Sequence, residues 1–185
     1  MDMKNNILSA LFVLLSFSAA VAQKSLHLSD KDFKDQFLVA INTVRAKGCN
    51  CGTTYMRPAA PITWNDILAD AAEEHARDMA KHEYFSHTST DGRSLQDRLF
   101  AVGYNYTGFQ SYTIGENIAA GQRSITEVIT GWFKSVGHCK NLMNPGFKEI
   151  GVAEYKYYWV QDFGGRIPQE KGKHYNGKWV IKESK

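Results

Sequence analysis

Three ionisable side chains stand where glycines bend the backbone or where a predicted helix ends. They are His87 in the segment 85–88, Glu116 directly after Gly115, and His138 directly after Gly137. Such positions carry functional groups more often than helix interiors do. Two imidazoles and a carboxylate are suitable ligands for zinc or another divalent cation, and they are equally able to form a hydrogen-bonded structural trio. Their spacing does not match a zinc motif such as H-E-x-x-H, so spacing alone favours the structural trio.

Two neighbouring pairs look like a nucleophile beside its base. They are Ser86 with His87 and Cys139 with His138. Adjacent residues generally point in different directions, and the fold usually brings a catalytic cysteine and histidine together from distant segments. The G-x-S-x-G elbow of serine hydrolases is also absent from the sequence. We therefore assign Cys139 to a disulfide and not to a thiol enzyme.

The chain contains three cysteines, Cys49, Cys51 and Cys139. In an oxidising compartment we expect at least one pair to be joined. A Cys49–Cys51 bridge would close a very tight ring, so a long-range bridge from one of these two to Cys139 is easier to build. One cysteine is then left unpaired. The sequence leaves open which of the two is the partner of Cys139.

The first 22 residues have the pattern of a removable secretion signal. Lys4 precedes an apolar run over 7–17, and the small residues A-V-A at 20–22 form the expected cleavage site. The run is shorter than the roughly 20 apolar residues that a membrane span requires. We therefore predict that the mature protein is secreted, to the periplasm or the medium, without a membrane span.

The remainder of the chain has the size of one domain. With 43% hydrophobic residues, 22% charged residues and a net charge of +3, its composition is that of an ordinary globular protein. Basic residues are interspersed with acidic ones except in the C-terminal tail, so the sequence lacks the dense basic patch of a nucleic-acid-binding protein. We expect a monomer without a nucleic-acid partner.

Four helices are indicated by a capping residue followed by an apolar stripe at helical spacing. They cover about 29–48, 63–82, 94–103 and 124–132, with caps at Ser29, Thr63, Ser94 and Ser124. The β-branched and aromatic segment 149–163 predicts two adjacent antiparallel strands that break at 154–156, and 112–117 predicts a third. Asn176–Gly177 predicts a hairpin in the tail. Helices combined with adjacent strands favour an α+β fold.

Five short motifs, in this order and separation, resemble the CAP superfamily. This superfamily comprises cysteine-rich secretory proteins, antigen 5 and plant pathogenesis-related 1 proteins, and the resemblance here is to the short bacterial form. The motifs are H-A-R-D-M at 75–79, F-S-H at 85–87, G-E-N-I at 115–118, Trp132 followed by Gly137 and His138, and I-G-V at 150–152. The resemblance covers about 32–165 and implies a three-layer α-β-α sandwich with a central antiparallel sheet. It divides the chain into a signal at 1–22, a CAP domain at 23–165 and a basic extension at 166–185.

The resemblance also implies a cavity lined by two histidines and two acidic residues. The histidines, which bind zinc or another divalent cation in some members, correspond to His87 and His138, and the first acid corresponds to Glu116. At the position of the second acid this chain has Ser135. Glu127 and Glu149 are candidate replacements, neither of which the sequence favours. His75 lies on an apolar helical face, so we interpret it as a core residue.

Members of the superfamily are linked to sterol and lipid binding, defence and host interaction, without one agreed activity. We therefore favour a secreted binding module whose cavity, lined by His87, Glu116 and His138, takes a small lipid, a glycan or a protein ligand. The alternative is a metal-assisted hydrolase. In that case His87 and His138 hold the cation, a bound water is the nucleophile, and Glu116 is the general base. The missing second acid argues against catalysis.

Overall fold

The fold is built around a four-stranded sheet with helices on both faces, seen in a computed structural model that describes residues 30–168 and the backbone of 173–175 and 178–180. The predicted signal at 1–22 and the predicted cap at Ser29 lie outside the described residues. The α+β architecture predicted from the sequence is confirmed.

Five helices are found in the described part of the chain. They are α1 (Asp30–Lys47), α2 (Asp66–His82), α3 (Leu95–Ala101), α4 (Ile125–Lys134) and α5 (Val136–Leu142). The first four correspond to the predicted segments, and Ser94 and Ser124 cap α3 and α4 as predicted, by accepting from the backbone N–H three residues on. The predicted cap of α2 at Thr63 is wrong, because Asn65 accepts from the Leu68 N–H and Thr63 lies in a strand.

The fifth helix, α5, was not predicted. It follows α4 after the single residue Ser135, whose extended conformation, φ −80° and ψ 125°, ends one helix and begins the next. Seven residues with a glycine near the start give too short an apolar pattern to be read as a separate helix. Helix α5 carries both His138 and Cys139.

The strands found in the described residues form three sheets. They are β1 (Cys49–Cys51), β2 (Thr54–Met56), β3 (Thr63–Trp64), β4 (Phe109–Ala120), β5 (Glu149–Tyr155), β6 (Tyr158–Pro168), β7 (Lys173–Tyr175) and β8 (Lys178–Val180). The main sheet has the order β3-β5-β6-β4; β4, β5 and β6 are antiparallel, and only the two-residue β3 runs parallel to β5. Strands β7 and β8 pair antiparallel, as a hairpin in the tail requires, and the predicted turn residues Asn176 and Gly177 lie outside the described residues.

The predicted strand pair over 149–163 is present, and its turn lies slightly later than expected. The turn residues are Lys156 and Tyr157, with φ of 49° and 65°. Two consecutive residues with positive φ match the right-handed twist of paired strands and make a tight hairpin. This hairpin fixes the register of β5 against β6.

Side chains alternate across β6 and build two separate cores. Trp159 and Phe163 pack with Phe37 of α1 and Trp132 of α4, whereas Val160 packs with residues of α2. Because successive residues of a strand point to opposite faces, one face of the sheet is covered by α1 and α4 and the other by α2. The result is the three-layer α-β-α sandwich.

Candidate functional site

Glu116 lies at the centre of the predicted site, on strand β4. It is 7% exposed, and its two carboxylate oxygens have different partners. His87 Nδ1 lies 2.7 Å from Oε1, and Arg98 Nη2 donates to Oε2 at 2.6 Å. Charge-assisted hydrogen bonds of this kind are the strong ones, so the carboxylate is held in one orientation.

His87 lies in the segment that connects α2 to α3. Its side chain is 59% exposed, and its pKa is raised, first by the hydrogen bond to Glu116 and then by the charge of that carboxylate. When Nδ1 carries the proton that Glu116 accepts, Nε2 has a free lone pair in the neutral ring. Among residues 30–168, Nε2 has no hydrogen-bond partner. The backbone carbonyl of His87 accepts from Arg98 Nη1 at 2.9 Å, which ties this segment to α3.

Arg98 is a member of the site that was not predicted from the sequence. It is 1% exposed, and it contacts Glu116, the His87 carbonyl and, at 3.4 Å, the hydroxyl of Ser89. The sequence holds one indication that Arg98 is buried. Arg98 lies between Leu95 and Leu99 on a short amphipathic helix, at a spacing from Leu95 that places both side chains on the same face of the helix. An unpaired guanidinium is costly to bury, and the carboxyl group of Glu116 offsets that cost for Arg98.

Asp162 is a second carboxyl group next to Glu116, and it was also not predicted. The register places Asp162 of β6 directly opposite Glu116 of β4. Asp162 is fully buried, and neither of its oxygens has a hydrogen-bond partner of good geometry among the described residues. Burial, and secondly the charge of Glu116, raise the pKa of Asp162 well above its usual range. Asp162 therefore keeps its proton to a higher pH than an ordinary aspartic acid does.

The acids that the sequence suggested as replacements lie elsewhere. Glu149 accepts from the Tyr104 hydroxyl at 2.6 Å and from Asn65 Nδ2 at 2.7 Å, and Glu127 accepts from the backbone N–H of Arg123. Ser135 is the residue between α4 and α5. The carboxyl group that accompanies Glu116 is thus on β6, far along the chain from the position where the resemblance places the second acid.

His75 is enclosed beneath this cluster. It is 1% exposed, its Nε2 lies 2.9 Å from the Ser86 carbonyl oxygen, and its Nδ1 lies 3.5 Å from the Ser89 hydroxyl. Burial, followed by the charge of Arg98, lowers its pKa. A neutral imidazole with both nitrogens near polar partners supports the segment that carries His87, which agrees with its interpretation as a core residue.

His138 reaches the site from helix α5. Burial lowers its pKa, and the charge of His87 lowers it further, so the two imidazoles influence each other electrostatically. Helix α5 is fixed to β4 because Asn117 Nδ2 donates to the His138 carbonyl at 3.4 Å and Asn141 Nδ2 donates to the Glu116 carbonyl at 3.2 Å. The strand that carries Glu116 therefore positions His138 as well.

By donor type, the imidazoles of His87 and His138, with a carboxylate behind the His87 ring, suit a divalent cation. Imidazole nitrogen is a preferred donor for zinc, and a cation that binds His87 displaces any proton from Nε2. Across residues 30–168, three ligand atoms come within 4.8 Å of one another only in the cluster of Cys49, Cys51 and Cys139. Direct ligation by His87, Glu116 and His138 together would thus need side-chain movement, whereas a role for Glu116 in orienting His87 needs none.

The predicted long-range disulfide is present and joins Cys51 to Cys139 across 88 residues of sequence. Cys49 is the free thiol. The structure resolves the alternative that the sequence left open, since β1 and α5 place Cys51 at bridging distance, with 5.5 Å between the two Cα atoms.

A sequence model of the CAP family, described as the cysteine-rich secretory protein family, matches residues 38–163. The match covers more than half of the chain and includes all three predicted site residues. The chain belongs to the CAP family, as the sequence motifs indicated.

Two relatives come from Bacillus subtilis (strain 168). This chain is 37% identical over 108 residues to "Uncharacterized protein YkwD", covering 57% of this chain and 40% of the relative. It is 36% identical over 104 residues to "Uncharacterized membrane protein YlbC", covering 56% of this chain and 29% of the relative. The chain thus spans less than half the length of either of them.

Similar solved structures also come from bacteria. An extracellular protein containing a SCP domain from Bacillus anthracis str. Ames is 31% identical, with a TM-score of 0.58, over 74% of this chain and 43% of that one. An outer surface protein from Borrelia burgdorferi is 20% identical, with a TM-score of 0.59, over 75% of this chain and 96% of that one. The second similarity concerns the fold alone.

None of the helices in the described ranges has the length and apolar character needed to cross a membrane.

Proposed function

We propose that this CAP-domain chain is a secreted binding module whose ligand site uses His87 and His138 to hold a divalent cation. The observation that carries the proposal is the 2.7 Å contact between His87 Nδ1 and Glu116 Oε1. A carboxylate hydrogen-bonded to one ring nitrogen fixes the tautomer and orientation of the imidazole and makes the other nitrogen a better metal ligand.

The charges around Glu116 support this role. Arg98 binds one oxygen of Glu116 at 2.6 Å and both residues are almost fully buried, so the carboxyl group is held in one orientation. His87 is much more exposed than either, so it presents Nε2 at the edge of a rigid, buried ion pair. His138, whose pKa is lowered, supplies a second, neutral imidazole.

A bound cation would supply an electrophilic centre to which an oxygen-bearing ligand attaches. The remaining positions around the histidine pair would then take a lipid head group, a glycan or a polar segment of a protein. Secretion is supported by the predicted signal at 1–22 and by the extracellular Bacillus anthracis protein among the similar structures.

The geometry favours binding over the metal-assisted hydrolase. A general base needs a carboxylate oxygen within hydrogen-bond reach of the attacking water. Both oxygens of Glu116 are already engaged, one by His87 and one by Arg98, and only 7% of the residue is exposed. This arrangement suits a residue that orients a ligand better than one that repeatedly takes up and releases a proton.

The cation site is tested by calorimetric titration of zinc into chelator-treated protein. We expect the double variant His87→Ala, His138→Ala to lose binding, because both donors are removed. Glu116→Gln should weaken zinc binding by about 10–100-fold, the usual effect of losing a carboxylate behind a metal-bound histidine. Affinity should also fall as the pH is lowered through the pKa of His87, since a proton competes for the ring.

The matched control is His82→Ala. The His82 side chain is exposed and its Nδ1 lies 2.8 Å from an oxygen of Asp78, outside the candidate cation site. Its removal should therefore leave zinc binding unchanged. Equal zinc uptake by wild-type protein and the double variant would refute the cation site. Hydrolysis of peptide, ester and glycan pools that depends on the two histidines would show the enzyme instead, and mass spectrometry of copurifying lipids would identify a lipid ligand.

A further inference from the structure

The three cysteines form one sulfur cluster between strand β1 and helix α5. Cys51 and Cys139 are bonded, and the Cys49 sulfur lies 3.8 Å from that of Cys139. All three sulfurs lie within 4.8 Å of one another. A free thiol is thus in near van der Waals contact with a disulfide of the same chain.

The proximity of the three sulfurs follows from the geometry of strand β1. Cys49 and Cys51 are two residues apart in β1, and side chains two apart on a strand point to the same face. Both cysteines therefore face α5, while Asn50 between them is exposed. Cys51, Cys139 and Met143 form a buried cluster against which Cys49 packs. Cys49 itself is only partly buried, so solvent reaches the free thiol.

We propose that Cys49, Cys51 and Cys139 form an internal thiol–disulfide exchange site in which Cys139 is bridged to either of the two β1 cysteines. The Cys49 thiol releases its proton to solvent, and the thiolate attacks the Cys139 sulfur. A Cys49–Cys139 bond forms as the Cys51–Cys139 bond breaks, and Cys51 leaves as a thiolate that takes up a proton. One disulfide and one thiol are present before and after, so the step needs no oxidant or reductant.

Two features set the rate of this exchange. The three sulfurs form a triangle, whereas the attacking thiolate approaches a disulfide along the S–S axis, so the Cys49 side chain must rotate first. Burial also raises the pKa of the Cys49 thiol, which reduces the thiolate fraction at neutral pH. Exchange from the observed Cys51–Cys139 bridge therefore becomes faster as the pH is raised.

The exchange acts on the element that carries the candidate site. Cys139 follows His138 on α5, and Gly52 packs so closely against Val136 of α5 that an added Cβ would lie 2.8 Å from Val136 Cγ2. Moving the bridge by two residues along β1 changes the point at which the hairpin holds α5. The position of His138 is thereby coupled to which cysteine is bridged.

The experiment follows the free thiol in the wild-type secreted protein. Samples are incubated at neutral and alkaline pH, quenched with acid, alkylated in denaturant, then reduced and alkylated with a second reagent. Cleavage with trypsin and chymotrypsin gives the peptides 48–55 and 135–140, and fragmentation around Asn50 shows whether Cys49 or Cys51 carries the first label. We expect the first label on Cys49 at the start and its progressive appearance on Cys51 at alkaline pH.

Three variants complete the test. Cys51→Ser should form the Cys49–Cys139 bridge and contain no free thiol, and Cys49→Ser should keep the Cys51–Cys139 bridge. The matched control, Cys49→Ser with Cys51→Ser, should contain one free thiol at Cys139. First label confined to Cys49 at every pH and time, in protein that stays folded by circular dichroism, would overturn the proposal. The wild-type measurement decides even where Cys51→Ser does not fold.

Discussion

At the scale of single residues, the charge balance around Glu116 depends on a proton held by its neighbour. Glu116 and Asp162 are directly opposite on antiparallel strands, and Arg98 binds Glu116. Two ionised carboxylates in this position would repel each other in a buried environment. A proton on Asp162 removes this repulsion, in keeping with the raised pKa of that group.

This protonation makes a pH-dependent contribution to stability. A carboxyl group whose pKa is higher in the folded state binds its proton more tightly there, so the free energy of unfolding falls as the pH rises from the unfolded pKa to the folded pKa. Asp162→Asn removes this titration. The variant should therefore gain stability relative to wild type by about 1.4 kcal/mol per pH unit above pH ~4, until the folded pKa of Asp162 is passed.

Urea denaturation of both proteins across this pH range measures the difference. Asp91→Asn is the control with the opposite sign, because hydrogen bonds from Arg93 lower the pKa of Asp91 and its stabilisation is present above the unfolded pKa. That variant should lose stability relative to wild type only as the pH rises towards the unfolded pKa of about 4, and above that pH the difference should stay constant. A difference between wild type and Asp162→Asn that is independent of pH would show that Asp162 is ionised in the fold.

At the scale of elements, the site depends on how closely helix α2 approaches the sheet. Gly151 of β5 is paired with Asp162 of β6 on one side, and a Cβ at Gly151 would lie 2.0 Å from the backbone nitrogen of Ala69 in α2. Only a residue without a side chain allows this approach. The same contact brings α2, and with it His75, against the strands that carry the two carboxyl groups.

Gly151→Ala is therefore expected to destabilise the protein by about 3 kcal/mol or more, at the upper end of overpacking effects, because backbone must move to accept the methyl group. Gly131→Ala is the matched substitution. Gly131 lies inside α4, and a Cβ there has open space within 4 Å. Gly131→Ala should therefore raise the free energy of unfolding by about 1 kcal/mol, because alanine has a higher helix propensity than glycine. Urea midpoints of the two variants test both signs, and equal effects would contradict the close packing at Gly151.

At the scale of the whole molecule, two long-range connections join α1 and the β1–β2 hairpin to the α5 region. The Cys51–Cys139 bridge is one of them. The other is Arg45 of α1, which is fully buried and donates to the carbonyl oxygens of Ala60, Leu142 and Phe147 at 2.9, 2.7 and 3.2 Å. Both hold the end of the molecule where His138 lies.

Reduction of the bridge should lower the free energy of unfolding by about 4.6 kcal/mol, the chain-entropy effect expected for a loop of this length. Urea unfolding with and without a phosphine reductant measures it. Cys49→Ser should show the same loss on reduction, since its bridge is unchanged. An unfolding midpoint that does not respond to the reductant would mean that the bridge contributes nothing to stability.

Features that depend on neighbouring residues could be predicted from the amino-acid sequence. Capping residues predict the helix starts at Ser94 and Ser124. Periodicity and turn residues predict the strand pair that begins at Glu149 and the hairpin in the tail. All of these signals act within a few positions of the chain. The order of the CAP motifs determined the family and with it the three-layer fold. Helix α5 was missed because its pattern is too short to separate from α4.

Which distant residues lie together in the candidate site depends on how the helices and strands pack. Arg98 and Asp162 join Glu116 because α3 and β6 pack beside β4 in one register, and no local pattern encodes that register. The choice of Cys51 over Cys49 has the same origin, since both face α5 and their distances to Cys139 depend on how β1 and α5 pack. Residue type and local spacing thus predict His87, Glu116 and His138, while the partners that set their charge come from contacts between elements.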